Sequence, residues 1–485
     1  MSDRTPHPAS GHPLPASPGD GLLMRGYSAS AGLERRGLTE LHGALAVIEG
    51  VEGAAFHDAV EIIGSDGELR SGRVLATTDR GAVIEVFAAT DGMQLRSSRV
   101  RFLGRPFQLG VGPELLGRIF DGLGRPRDGL PPPAAVEVRP IAGSPINPVR
   151  REYPTDFLET GISAIDALNS VVLGQKIPIF TEAGLAHDAL AMQIIRQARA
   201  PGVEKFAIVF AALGLPRETA GRYVDDFRSS GARGRMIAFL NYADDPTAER
   251  LITPRCALTA AEYLAFDLGY HVLVILHDIT NYGEALREIA AARGEMPSRK
   301  GYPGYLYSDL ASLFERAGRI AGRPGSLTQI PIVTLPSGDL SHPIPDLTGY
   351  VTEGQIVLDA QIAARGAYPP ISVLASLSRL MSDGIGEGKT RFDHPEASRQ
   401  LYAAVARVDR ARALASIIGA DELTAIEQTY LRFGDRFDRE FLTQRGDEHR
   451  PIAETLDIAW RVLRELPRSE LTRVKESTLQ KVYGS

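Results

Sequence analysis

The chain has 485 residues, 44% of them hydrophobic, a formal net charge of −6 and a single cysteine, Cys256. That length and apolar content support two or three domains with sizeable cores. The mild acidic balance argues against a dedicated nucleic-acid binder, and one thiol excludes an intramolecular disulfide or a cysteine-based metal cluster, so a reducing cytoplasm fits.

Residues 1–38, with "RTPHPASGHPLPASPGDG" at their centre, offer almost nothing to bury and lack the apolar core of a signal peptide; they read as a disordered tail. From 39 to 112, short β-branched runs ("DAVEII", "GRVLAT", "GAVIEVFAA", "SRVRFLG") alternate with "GSDG", "TDRG" and "ATDG" turns. That spacing predicts a small antiparallel β-barrel or sandwich.

From 113 to 392 the text changes to buried strands joined by helices. Expected strands are "KIPIF", "KFAIVFAAL", "RMIAFLN", "HVLVIL", "IPIVTL" and "GQIVLD", with helices such as 187–200 and 282–292 between them. Apolar runs without alternation indicate a parallel sheet covered on both faces, hence a multidomain α/β protein. From 393 to 485 strand signals vanish. Leu423, Ile426, Tyr430, Phe433, Phe437 and Phe441 mark one helix face, and Ile452, Leu456, Trp460, Leu463 and Leu466 another; a helical bundle is expected. The longest apolar stretches, such as "FAIVFAALGL", are far short of a membrane span, so any membrane association runs through partners.

Two places bear on phosphate binding. "SDGIGEGKTR" (382–391) ends in Gly388-Lys389-Thr390, but Asp383 holds the first glycine's place and no buried strand leads into it; it reads as a Gly-rich surface loop. The required strand–turn–helix context lies at 176–200, where "TEAGLAHD" fills the slot of G-x-x-x-x-G-K-[ST]. There Thr181 stands for the first glycine and Ala186 for the last, His187 replaces the lysine and Asp188 the Mg²⁺-binding hydroxyl. A largely neutral imidazole cannot stand in for an ammonium, and a carboxylate repels phosphate oxygens. The next strand ends with Leu215 where an attacking water needs a carboxylate, and Glu218 is displaced by three residues. "VLVILHD" keeps a Walker-B-like Asp278.

Long motifs then carry a family resemblance. "TGISAIDALNSVVLGQKIPIF", "ITNYGEALREIAAARGEMPSRKGYPGYLYSDLASLFERAGRI", "LTQIPIVTLPSGDLSHPIPDLTGYVTEGQI" and "SLSRLMSDGIGEGKTR" resemble the B subunits of V-type and A-type rotary ATPases and ATP synthases. The likeness spans about 39–475; Glu182, Ala186 and Asp188 depart from the family's usual "SGLPHN" loop, and the Pro-rich tail is long.

The resemblance implies an N-terminal antiparallel β-barrel, a RecA-like P-loop NTPase domain and a C-terminal helical bundle. It implies a regulatory, non-catalytic role in a hexamer where three B chains alternate with three catalytic A subunits. Central and peripheral stalks are further partners, and the machine is a cytoplasmic, peripheral membrane complex moving protons or sodium ions. ATP or ADP with Mg²⁺ would be held mainly by the neighbouring A subunit. By motif match, Arg379 in "SLSRLM" would be an arginine finger acting in trans. Gly184, His187, Asp188 and Asp278 would line a degenerate nucleotide site, and no metal-ligand set is expected. A catalytic rotary or export-type ATPase subunit is the nearest alternative, against which the missing lysine and glutamate speak. A hexameric RNA-translocating motor is a further one, disfavoured by the acidic charge and the lack of basic–aromatic interleaving.

Overall fold

The computed structural model describes residues 33–229, 231 and 233–483. These form two compact units. The first comprises the described residues up to Leu41, with Leu45–Val86 and Thr90–Phe107; the second comprises His42–Ala44, Phe87–Ala89 and the chain from Gln108 onward.

The first unit is built on an antiparallel seven-stranded half-barrel. Its strands are β1 (Leu33–Arg36), β2 (Glu40–His42), β3 (Leu45–Glu49), β4 (Asp58–Ile63), β5 (Leu69–Thr78), β6 (Gly81–Val86) and β7 (Arg99–Pro106), in the spatial order β1-β7-β4-β5-β6-β3-β2. In β7, Val100 and Phe102 turn inward while Arg99 and Arg101 face solvent, the period of two expected of a half-buried strand. They pack with Val60, Ile62, Val74, Ile84 and Val86. Most of the predicted tail lies outside the described residues. Its end differs from expectation: residues 33–36 form β1, an edge strand paired antiparallel with β7. "LERR" carries no apolar run, so backbone pairing, to which a sequence pattern is blind, decides it.

The second unit holds a sheet whose main path contains β8 (Ile119–Asp121), β9 (Ile179–Thr181), β10 (Phe206–Leu215), β11 (Met236–Tyr242), β12 (His271–His277), β13 (Ser326–Thr334), β14 (Gly354–Val357) and β15 (Leu377–Ser378). The spatial order is β15-β14-β9-β13-β12-β10-β11-β8, parallel except for β15. Every residue of β10 is buried, which is why its sequence does not alternate. The crossovers include α1 (His187–Gln197), α2 (Arg217–Ser229), α3 (Thr247–Glu262) and α4 (Ile279–Ala292).

Beyond the sheet, α5 (His394–Ile418), α6 (Ala425–Arg436) and α7 (Ile452–Leu463) form the helical region. Thr424 and Glu427 make a reciprocal capping box that starts α6. Phe433, Phe437 and Phe441 stack in sequence with ring centroids 6.1 and 5.0 Å apart, so the aromatic stripe is core. Among the described residues no helix is long and apolar enough to cross a membrane.

Candidate nucleotide-binding loop

β9 ends at the buried Thr181, the chain turns through 182–186, and α1 begins at His187. This is the backbone context of a phosphate-binding loop: a buried strand delivering a turn to a helix N-terminus. Gly184 takes a left-handed φ of 87° at the exposed crest of the turn, a conformation an L side chain resists. The amides, however, are partly spent. The Leu185 N–H donates to Glu182 O at 3.3 Å and the His187 N–H to Leu185 O at 2.9 Å. Ala186, at the N-cap, has no polar side-chain atom to offer.

The side chains close on one another. The Asp188 carboxylate meets His277 Nε2 at 2.7 Å, across from the end of β12, and accepts from the Tyr223 hydroxyl at 3.4 Å. His187 Nδ1 lies 3.3 Å from Thr181 Oγ1, and the His187 and His277 rings stand edge to face with centroids 5.4 Å apart. Burial, aided by the neighbouring His277, lowers the His187 pKa, so this ring is neutral at neutral pH. Burial opposes ionisation of Asp188, but the hydrogen bond and charge from His277 outweigh it and hold the carboxyl below its ordinary range. Burial, reinforced by Asp188, drives the Tyr223 hydroxyl far up, so it remains a donor. This donor set does not fit a Mg²⁺-nucleotide: residue 187 supplies no ammonium and residue 188 no hydroxyl.

Asp278 is also occupied. Its buried carboxylate accepts the Thr280 N–H at 2.7 Å as N-cap of α4, accepts the Thr334 N–H at 3.2 Å, and takes the Thr334 hydroxyl. It thus pins the end of β12 to the end of β13. Leu215 is buried in β10, and Glu218 is exposed in the first turn of α2.

Gly184, His187, Asp188 and Asp278 therefore share the carboxyl end of the parallel strands. Arg379 does not join them. It follows β15, its N–H donates to Glu353 O at 3.0 Å and Nη1 reaches Thr352 O at 3.4 Å, both just ahead of β14. The Glu353 N–H in turn donates to Lys176 O at 2.9 Å, at the amino end of the sheet. Thr181 lies five positions beyond Lys176, about 16 Å of extended chain. Arg379 is exposed, and among the described residues it pairs with no carboxylate.

Lys389, by contrast, folds back onto the carbonyl of Asp383, and the Lys389 and Thr390 N–H groups both donate to Gly386 O, at 3.1 and 2.9 Å. Arg391 is held by Asp393 at 2.7 Å and Asp457 at 2.5 Å. Sequence reasoning passed over His277. The signal was its place directly before Asp278, at the end of a strand aimed at the loop.

A parallel sheet whose phosphate-loop position has lost its lysine and hydroxyl defines a nucleotide-binding-fold protein with an altered loop. The chain matches the ATP synthase alpha/beta family nucleotide-binding domain over residues 161–378 and the C-terminal domain of V and A type ATP synthase over 383–483. It is 53% identical to the V-type ATP synthase beta chain of Thermotoga neapolitana, covering 93% of this chain and 98% of that one. It is 51% identical to the B chain of the A-type ATP synthase of Nitrosopumilus maritimus, over 94% and 99% respectively. A solved structure of ATP synthase subunit NeqB from Nanoarcheaum equitans superposes with a TM-score of 0.71 at 37% identity, covering 84% of this chain and 99% of that chain. The chain belongs to the family of V-type/A-type ATP synthase B (beta) subunits.

Proposed function

We propose that this chain is the non-catalytic, regulatory partner in a rotary ATP synthase or ATPase head, three copies alternating with three catalytic A subunits. In this reading the barrel (39–112), the nucleotide-binding-fold domain (113–392) and the helical bundle (393–485) are its working parts. Central and peripheral stalks connect the ring to a membrane sector that moves protons or sodium ions, so the chain is cytoplasmic and peripheral to the membrane.

The observation that carries the reading is the Asp188 carboxylate, fixed by His277 where a catalytic loop would receive phosphate. A unit negative charge about 4 Å from another costs on the order of 4 kcal/mol at an effective dielectric of about 20. ATP or ADP with Mg²⁺ is accordingly assigned to the neighbouring A subunit. Arg379, exposed and free of carboxylates within the described chain, supports a role in trans: its planar fork would neutralise charge on a phosphoryl group held by that neighbour.

The test is ATP turnover by the purified chain, by the cognate A subunit, and by the two co-expressed. Ring formation and steady turnover only in the mixture are expected. Steady turnover by this chain alone overturns the reading.

A further inference from the structure

The His187–Asp188–His277 cluster has a chemistry of its own. One ligand-type atom from each of the three lies within 4.8 Å of the other two. The His277–Asp188 edge is already 2.7 Å. Bonds of about 2.0–2.2 Å to a tetrahedral ion set edges near 3.3 Å, so closing the third corner takes a shift of at most about 1.5 Å by His187, the first residue of α1.

We propose that His187, Asp188 and His277 bind a divalent transition-metal ion of the Zn²⁺ class at the start of α1. Two imidazoles and one carboxylate select Zn²⁺ or Co²⁺ over Mg²⁺ and Ca²⁺, which want oxygen alone. The outer contacts suit the task. Thr181 Oγ1 engages His187 Nδ1 and leaves Nε2 for the ion. The Tyr223 hydroxyl orients the carboxylate. His277 is only 1% exposed and its Nδ1 has no hydrogen-bond partner, so the ring is held by one bond, to Asp188. Coordination through Nε2 exchanges that bond for a stronger one. Asp278 cannot compete as a ligand, because Thr280 and Thr334 already hold it. Three protein ligands leave a position for water, and the ion ties the turn after β9 to the end of β12.

The experiment is a Co²⁺ titration of the tag-free full-length chain, followed by visible absorption, with Zn²⁺ and Mg²⁺ as competitors. One equivalent of Co²⁺ should bind, be displaced by Zn²⁺ and resist excess Mg²⁺, and Zn²⁺ should raise the Tm. His187→Ala and Asp188→Asn, with folding confirmed by circular dichroism, should each weaken Co²⁺ by more than the roughly 10–100-fold that outer-shell changes cost. His187 is the first residue of α1 and only half-buried, so its variant is expected to fold. Unchanged Co²⁺ affinity in folded His187→Ala overturns the proposal, as does the absence of saturable Co²⁺ binding by the wild type or full displacement by Mg²⁺.

Discussion

Two segments of this chain divide the requirements of a phosphate-binding loop between them. Residues 181–188 have the strand, the turn and the helix, but their polar groups pair with one another and with His277. Residues 382–391 have the Gly-Lys-Thr ending, yet no buried strand feeds it and Lys389 bends back to its own backbone. Backbone placement, more than the residue triplet, marks the phosphate-loop position. Both segments are settled inside the chain, whereas Arg379, just ahead of the second, faces outward with no carboxylate partner among the described residues.

The sharpest way to break this contrast is Arg379→Ala in reconstituted A/B rings. An arginine finger is worth about 10³–10⁵ in rate, so turnover should fall by that factor with assembly intact. Arg379→Lys should rescue poorly, because an ammonium lacks the planar fork. Turnover within a few-fold of wild type would remove Arg379 from the catalytic site.

Asp278→Ala tests the settled side. It strips a helix cap and leaves the Thr280 and Thr334 donors unpaired, which should lower stability by about 3–4 kcal/mol, read from the urea midpoint. A loss under about 1 kcal/mol would mean the carboxylate is not the tie described here.

His394, three residues beyond the second segment, can be probed through pH. Its Nε2–H donates to Ala167 O at 3.0 Å, and Nδ1 faces Thr390 Oγ1 at 3.0 Å. Burial pushes its pKa down to about 4. The unfolded ring, titrating near 6.5, binds its proton first as pH falls. Stability is therefore fully present above about pH 6.5 and drains as pH drops towards 4, by on the order of 2–3 kcal/mol. Glu249 acts with the opposite sign: burial, with Asp121 and Asp245 nearby, raises its carboxyl to about 7, so its contribution fades as pH rises through that value. Comparing wild type with His394→Gln isolates the histidine; identical acid slopes would exclude it.

The smallest effect expected is that of Lys389→Ala. Among the described residues its exposed ammonium touches only a carbonyl, so stability should move by no more than about 0.5 kcal/mol and ring turnover should not change. A large loss of turnover would show that the Gly-Lys-Thr ending has work to do in the ring.

The sequence disclosed the fold where physical periodicities were long. The unbroken apolar run of β10 read as a doubly covered strand, and the three-and-four spacing from Leu423 to Phe441 read as the helix face that Phe433 and Phe437 bury. The altered loop was legible because a carboxylate in place of a hydroxyl at 188 needs no structure to interpret. The partners of that charge were not. His277 lies 89 residues from Asp188, and nothing local in "VLVILHD" says the histidine turns towards the loop. Asp278 likewise matched a nucleotide-site motif, while its contacts with Thr334 depend on β12 and β13 lying side by side.

Asp393 ties the start of α5 to α7. It holds Arg391 through both carboxylate oxygens and receives the Trp460 indole N–H at 2.6 Å, while Arg391 also clasps Asp457 on the same helix. Next door, His394 is fastened to Ala167. A load that displaces α7 must either tear these bonds or drag the backbone at 391–393 with it. That backbone is also the far end of the Gly-rich segment that follows Arg379, so the last helices anchor the loop that trails the outward-facing guanidinium.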